Sequence, residues 1–269
     1  MIENKLAGLP KKPRIGVYKF SSCDGCQLAF LNSGLKLVEL SQYVDIIHFV
    51  EAGINDEEAH VDIAFVEGSI STPHGQQRIQ KIRNNSRYLI TIGACATSGG
   101  VQALRNGRDS DAWMATVYAK PEYIDTLKTA SAIAEYVDVD LELWGCPVST
   151  EQVFNAISLL LRGVQPADEH DSVCIECKRR GNVCVLVTKQ APCMGPVTKT
   201  GCGALCPSAG RGCYACYGPS ENPNGTALVN RFRGFGLVDE QIAKKFRMIY
   251  SQNEKFAQID VMLHRDGES

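Results

Sequence analysis

No stretch of this 269-residue chain approaches the roughly 20 consecutive apolar residues that a membrane-spanning helix needs. Its opening, Met1 to Pro10, carries neither the apolar run of a secretory leader nor a twin-arginine pair, so a cytoplasmic protein is expected. Neither sign of charge dominates. With 28 Lys and Arg against 30 Asp and Glu, the net charge is −2, and no basic stripe offers nucleic acid or an anionic membrane a footprint. Small-molecule or protein partners are expected instead. Glycine-rich phosphate loops of either standard spacing are missing, which leaves direct nucleotide binding without support.

What the chain has in abundance is cysteine, twelve in all, and they fall into two dissimilar sets. Cys23, Cys26, Cys95 and Cys146 are scattered through the first half. The other eight crowd together as Cys174, Cys177, Cys184, Cys193, Cys202, Cys206, Cys213 and Cys216. In a reducing compartment disulfides are disfavoured, and a cysteine-rich chain more often binds metal. A cubane iron-sulfur cluster takes four thiolates, so twelve cysteines suffice for three.

Short apolar runs at Arg14–Phe20, Val44–Val50, Val61–Val66, Arg87–Ile92 and Val139–Trp144 read as strands. Helical candidates lie between and after them at 25–35, 75–83, 123–136 and 151–161. That alternation implies an α/β fold with a parallel sheet covered on both faces. Cys23 and Cys26 follow the first strand, Cys95 follows the strand ending at Ile92, and Cys146 follows the last. Open parallel sheets gather ligands at the carboxyl ends of their strands, so these four can converge on one centre. Gly25, Gly93, Gly99, Gly100 and Gly145 beside them permit close backbone approach to an inorganic cofactor.

Blander readings stand beside this one. Cys95 and Cys146 are also the kind of residue found as plain buried thiols, and Cys23-Asp-Gly-Cys26 fits a thioredoxin-like redox pair. The redox pair leaves Cys95 and Cys146 unexplained. Glu67, just after a strand, lines the pocket or relays a proton on one reading and is an ordinary loop carboxylate on the other. His48 and His74 read as a strand residue and a helix-start residue.

From Pro166 to about Pro223, loops carrying Gly, Pro and Cys replace regular periodicity, and bound metal is expected to organise them. Cys174-Ile-Glu-Cys177 and Cys213-Tyr-Ala-Cys216 suit zinc or iron equally. Cys202-Gly-Ala-Leu-Cys206-Pro207 favours iron, because Cys-x-x-x-Cys-Pro closes the bacterial ferredoxin pattern. His170, with three residues between it and Cys174, is an alternative ligand or an exposed loop histidine. Beyond Ala227, the stretch 239–256 reads as a charged amphipathic helix with Ile242, Phe246, Ile249 and Tyr250 on one face.

Taken in order, Cys23-x-x-Cys26, Gly-Ala-Cys95-Ala, Gly-Cys146-Pro and Pro192-Cys193-Met-Gly-Pro196 running on to Cys202 resemble the small, electron-transferring subunit of nickel-iron hydrogenases. The resemblance covers almost the whole chain. It departs from the periplasmic members, which carry a twin-arginine leader and have histidine where this chain has Cys174. Their middle cluster commonly has proline at the corner that Cys206 makes available here, and their loop before Cys193 is longer. The chain is more similar to the cytoplasmic, multimeric hydrogenases that exchange electrons with NAD(P), the sulfhydrogenase-like subgroup. The related quinone-reducing subunit of respiratory complex I has two adjacent cysteines at the first site and no eight-cysteine extension.

The resemblance implies a flavodoxin-like parallel-sheet domain over residues 1–165, followed by a loop-rich iron-sulfur domain over 166–269. It implies three 4Fe-4S clusters: a proximal one on Cys23, Cys26, Cys95 and Cys146, a distal one on Cys174, Cys177, Cys184 and Cys193, and a medial one on Cys202, Cys206, Cys213 and Cys216. Its implied partners are a nickel-iron large subunit that splits hydrogen, a flavin and NAD(P)-binding subunit, and a further iron-sulfur subunit. No nickel ligands are recognisable in this chain. A small subunit of a deazaflavin-reducing or heterodisulfide-reductase-linked hydrogenase is the alternative, and a zinc-stabilised interaction protein is a third class.

Overall fold

Strands with both faces buried organise the first half, as a sheet roofed by helices on each side requires. A computed structural model describes residues 10, 12–167 and 171–266. Five strands, β1 (Arg14–Lys19), β2 (Asp45–Phe49), β3 (Val61–Glu67), β4 (Ser86–Ile92) and β5 (Leu141–Leu143), form one sheet in the order β2-β1-β3-β4-β5. Every pairing is parallel, and all seven residues of β3 are buried. This is the flavodoxin-like order, whose switch point lies between β1 and β3.

The helices of this half are α1 (Gly25–Leu31), α2 (Leu35–Leu40), α3 (Pro73–Asn84), α4 (Gly93–Ser98), α5 (Ser110–Val117) and α6 (Thr150–Leu161). On one face, Val17, Phe65 and Ile90 pack with Phe30 of α1 and with Val153, Ile157 and Leu160 of α6. Those α6 residues recur at helical spacing, which is why this segment folds as a helix rather than a strand. On the other face, Tyr18, Val66 and Leu89 meet Ile79 and Ile82 of α3. Thr72 starts α3 by accepting the Gly75 N–H at 3.0 Å, with Pro73 in the first turn.

The second half contains α7 (Val173–Arg179), α8 (Val185–Thr188), α9 (Leu205–Ser208), α10 (Gly225–Arg233), α11 (Asp239–Tyr250) and α12 (Glu254–Asp266). The cysteine-rich loops do not lack an apolar core. Val173, Val185, Met194 and Val197 bury against Val229, Phe232, Ile242 and Phe246 of α10 and α11. Ala94 of the first half belongs to the same cluster. No helix among the described residues is long and apolar enough to cross a membrane.

Three expected helices differ. The segment 123–136 is not a helix; only short 3-10 turns occur at Pro121–Tyr123 and Ile133–Glu135. Its backbone is drawn out by pairing elsewhere, with Leu127 N–H donating to Ser71 O and Ser131 exchanging two hydrogen bonds with Ile70. The helix expected over 25–35 ends at Leu31, interrupted before α2 by a turn through Gly34 at φ 59°. The one expected over 239–256 breaks after Tyr250, where Asn253 Oδ1 accepts the Lys255 N–H at 3.1 Å and α12 folds back to set Phe256 edge-on to Phe246.

Candidate iron-sulfur sites

The carboxyl edge of the sheet brings Cys23, Cys26, Cys95 and Cys146 together. Cys26 is within electrostatic reach of Cys95 and Cys146, and Cys95 of Cys146 and Cys23. Cys26 is buried in the first turn of α1, whereas Cys23 and Cys146 are exposed at the rim. Glu67, the last residue of β3, holds that turn in place. Its two carboxylate oxygens accept the N–H groups of Cys26 and Gln27, both at 3.1 Å. Burial raises the Glu67 pKa, and these two donors act in the opposite direction.

Hydrogen bonds fix the remaining members. The Cys95 thiol donates to Gln102 Oε1 at 3.3 Å, and Gln102 Nε2 donates to Ser21 O at 2.8 Å, tying α4 to the loop that carries Cys23. Ala94 N–H donates to Gly145 O at 2.7 Å, placing α4 beside the Cys146 loop. Val148 N–H points at the Cys26 sulfur, 3.5 Å away.

The crowded eight separate into two groups. Cys174 and Cys177 on α7, Cys184 at the start of α8, and Cys193 line one small cavity with Val173, Val185, Leu186, Pro196 and Pro207. Cys202 and Cys206 are within electrostatic reach of each other, and Cys216 is within reach of Cys213, Cys202 and Cys206. This last group also lies near both others. Cys216 is in reach of Cys146, and Cys213 N–H donates to the Cys193 sulfur at 3.2 Å. Along the molecule the Cys202–Cys216 group therefore stands between the other two.

None of the twelve cysteines is in a disulfide. Burial pushes the Cys95 and Cys174 thiols up to about 11 and those of Cys213 and Cys216 to about 12, with neighbouring cysteines adding to the rise. A thiolate in such surroundings needs a compensating cation, and metal ligation supplies one by displacing the proton. Among the described residues, no group of three or more His, Cys, Asp or Glu side chains has the geometry to hold a single metal ion. The space beside the sulfurs is kept clear by glycine. A Cβ on Gly93 would collide with the Cys26 sulfur, and one on Gly100 would lie 2.7 Å from that of Cys95. Soft, unpaired donors in fours, with glycine backbone against them, fit an iron-sulfur cluster.

His170 lies outside the described residues. His74 is exposed at the start of α3, and His48 is buried in β2 and stacks on Tyr18, away from the sulfurs. Two residues that spacing did not single out belong to the sites. Gln102 joins two cysteine loops, and Glu176, between Cys174 and Cys177, accepts the N–H groups of Gly201 and Ala204 at 2.9 and 3.1 Å. Nothing in a local motif marks either, because their partners are distant in sequence.

Residues 23–160 match the family model of the NADH ubiquinone oxidoreductase 20 Kd subunit, a span that takes in strands β2 to β5 and the first four cysteines. Over 235 residues the chain is 36% identical to the sulfhydrogenase 2 subunit delta of Pyrococcus furiosus, covering 87% of this chain and 98% of the relative. It is 29% identical to a subunit of the F420-non-reducing hydrogenase of Methanocaldococcus jannaschii, covering 95% and 98% respectively. A solved chain of an NAD+-reducing [NiFe]-hydrogenase in the H2-reduced state superposes with a TM-score of 0.53 at 26% identity, covering 58% of this chain and 95% of that one. The chain belongs to the NADH ubiquinone oxidoreductase 20 Kd subunit family, in the branch formed by the small, electron-transferring subunits of multimeric nickel-iron hydrogenases.

Proposed function

We propose that this subunit relays electrons between the nickel-iron site of a large subunit and an NAD(P)-reducing flavin module, in a cytoplasmic assembly with a further iron-sulfur subunit. The observation that carries this reading is the convergence of Cys23, Cys26, Cys95 and Cys146 from three strand ends onto one sheet edge. These four hold a proximal 4Fe-4S cluster, Cys202, Cys206, Cys213 and Cys216 a medial one, and Cys174, Cys177, Cys184 and Cys193 a distal one. The intermediate position of the Cys202–Cys216 group supports that order. When bound, such clusters supply one-electron storage at potentials set by ligation, hydrogen bonding and burial.

The chain's own residues do the rest. Exposed Cys23 and Cys146 present the first site to a catalytic partner, and Leu28 on α1 is 44% exposed. Backbone donors from Val148, Cys213 and Ala215 aim at the sulfurs of Cys26, Cys193 and Cys213 and stabilise negative charge there. Buried Cys26, Cys193 and Cys213 exclude water from the inner side of each group.

Metal and sulfide analysis with electron paramagnetic resonance tests the reading. About twelve iron and matching acid-labile sulfide per chain are expected, and zinc without sulfide would overturn it. Co-purification is expected to recover a nickel-bearing partner. The similarity to a subunit of an F420-non-reducing hydrogenase over 95% of the chain favours a second reading, in which the acceptor is not NAD(P). Hydrogen-dependent reduction assayed against NAD and NADP separates the two.

A further inference from the structure

Glu176 has an unusual set of partners. It lies in α7 between Cys174 and Cys177, yet both its carboxylate oxygens are turned to the loop of the next cysteine group. Oε1 accepts the Gly201 N–H at 2.9 Å and Oε2 the Ala204 N–H at 3.1 Å, so the two bonds bracket Cys202. Gly203 and Ala204 both adopt left-handed backbone, φ 64° and 52°, and Ala204 is wholly buried. A non-glycine residue held there is strained, and successive N–H groups in such a turn form an anion-binding concavity. The N–H groups of Ala204 and Leu205 also aim at the Cys202 sulfur. One turn therefore serves two anions, the Glu176 carboxylate and the Cys202 thiolate. The Glu176 charge acts directly on Cys202. The guanidinium of Arg180 lies over Gly203, where a Cβ would meet its Nη2 at 2.6 Å.

We infer that Glu176 is a positioning residue that locks the loops of the two outer cysteine groups together and lowers the reduction potential of the cluster at Cys202 relative to its neighbours. Two features make this more than a packing contact. A fixed negative charge beside a redox centre disfavours the added electron, and at half-buried Glu176 and Cys202 solvent screens that effect only in part. Moreover, the carboxylate and the thiolate compete for the Ala204 N–H, so whatever Glu176 takes from that donor is withheld from the sulfur. Both effects have the same sign. Arg180 acts with the opposite sign.

The inference rests on the three-cluster reading, and the experiment keeps the two apart. Iron analysis of the wild-type complex tests the clusters themselves; redox titration of Glu176→Gln, Glu176→Asp and Arg180→Gln, followed by electron paramagnetic resonance, tests Glu176. With full iron, Glu176→Gln is expected to raise the potential of one outer cluster and leave the proximal signal unchanged. A tenfold change in electron partition corresponds to about 59 mV for a one-electron couple. Arg180→Gln is expected to move the same signal downward. Glu176→Asp, which keeps the charge but shortens the reach, is expected to shift it less than Glu176→Gln. Loss of about four irons with an intact proximal signal would also support the assignment, since the lock on the Cys202 loop would then have failed. Full iron with unchanged potentials would overturn it, and so would loss of iron from the proximal site, which would make Glu176 a general folding residue.

Discussion

Tyr250 lies flat against Trp144, with ring centroids 5.3 Å apart and planes within 8°, and its hydroxyl accepts the Gly145 N–H at 3.4 Å. The last residue of α11 thus rests on the strand-end loop that delivers Cys146. Gly218 at φ 71° lets the chain pass close by, since a Cβ there would meet the Trp144 ring. The two halves of the chain consequently share a core rather than touching at a linker.

Removing that ring is expected to loosen both halves together. Tyr250→Ala should cost about 3–5 kcal/mol, as for other large buried aromatics, and lower the iron retained at the Cys146 group. Tyr250→Phe, which keeps the stack, should cost only about 1 kcal/mol. Urea denaturation of the three proteins checks this. Equal midpoints for wild type and the alanine variant would show that the stack does not join the halves.

Cys95→Ser is expected to cut iron from about twelve to about eight per chain and to abolish hydrogen-dependent reduction of the acceptor. The outer-cluster signals should persist, because their cysteines lie on other loops. A variant with wild-type iron content and turnover would make Cys95 an ordinary core thiol.

Gly93 and Gly107 form a controlled pair. Both have positive φ, 82° and 73°, so alanine at either should cost about 1–2 kcal/mol of backbone strain. Only at Gly93 does the new Cβ meet the Cys26 sulfur, whereas nothing lies within 4 Å at Gly107. Gly93→Ala should therefore lose the proximal signal while Gly107→Ala keeps it. Parallel spectra and melts of the two variants provide the measurement.

His48 gives the chain an acid sensitivity unrelated to its cysteines. It stacks on Tyr18 at 4.6 Å, is 1% exposed, and neither ring nitrogen has a hydrogen-bond partner among the described residues. Burial lowers its pKa; Glu57 and Asp56 oppose this and Arg78 reinforces it. The unfolded chain then binds the proton more tightly. The stability contribution is complete above the ordinary value of about 6.5 and is lost as pH falls through the lowered folded value. His48→Phe keeps an aromatic ring for the stack and should flatten that loss. Urea midpoints at about pH 7.5 and about pH 5 decide the matter, and an identical pH dependence in both proteins would rule His48 out as its source.

The sequence by itself determined the alternation of strands and helices, the placement of Cys23, Cys26, Cys95 and Cys146 after strand ends, and the family. These are local signals, carried by apolar runs and by short spacings such as Cys23-x-x-Cys26. Tertiary structure decided what depends on distant partners. Segment 123–136 gave up helix because Ile70 and Ser71 offered its backbone better hydrogen bonds, and the single helix expected at 239–256 became two so that Phe256 could reach Phe246. The division of the eight crowded cysteines into two sets already followed from the family resemblance, whereas the approach of the Cys202 set to Cys146 on one side and to Cys193 on the other arose only from folding. The same holds for Glu67 and Glu176. Each is one carboxylate among thirty acidic residues in sequence, and each acquires its role from two backbone N–H groups more than twenty residues away along the chain.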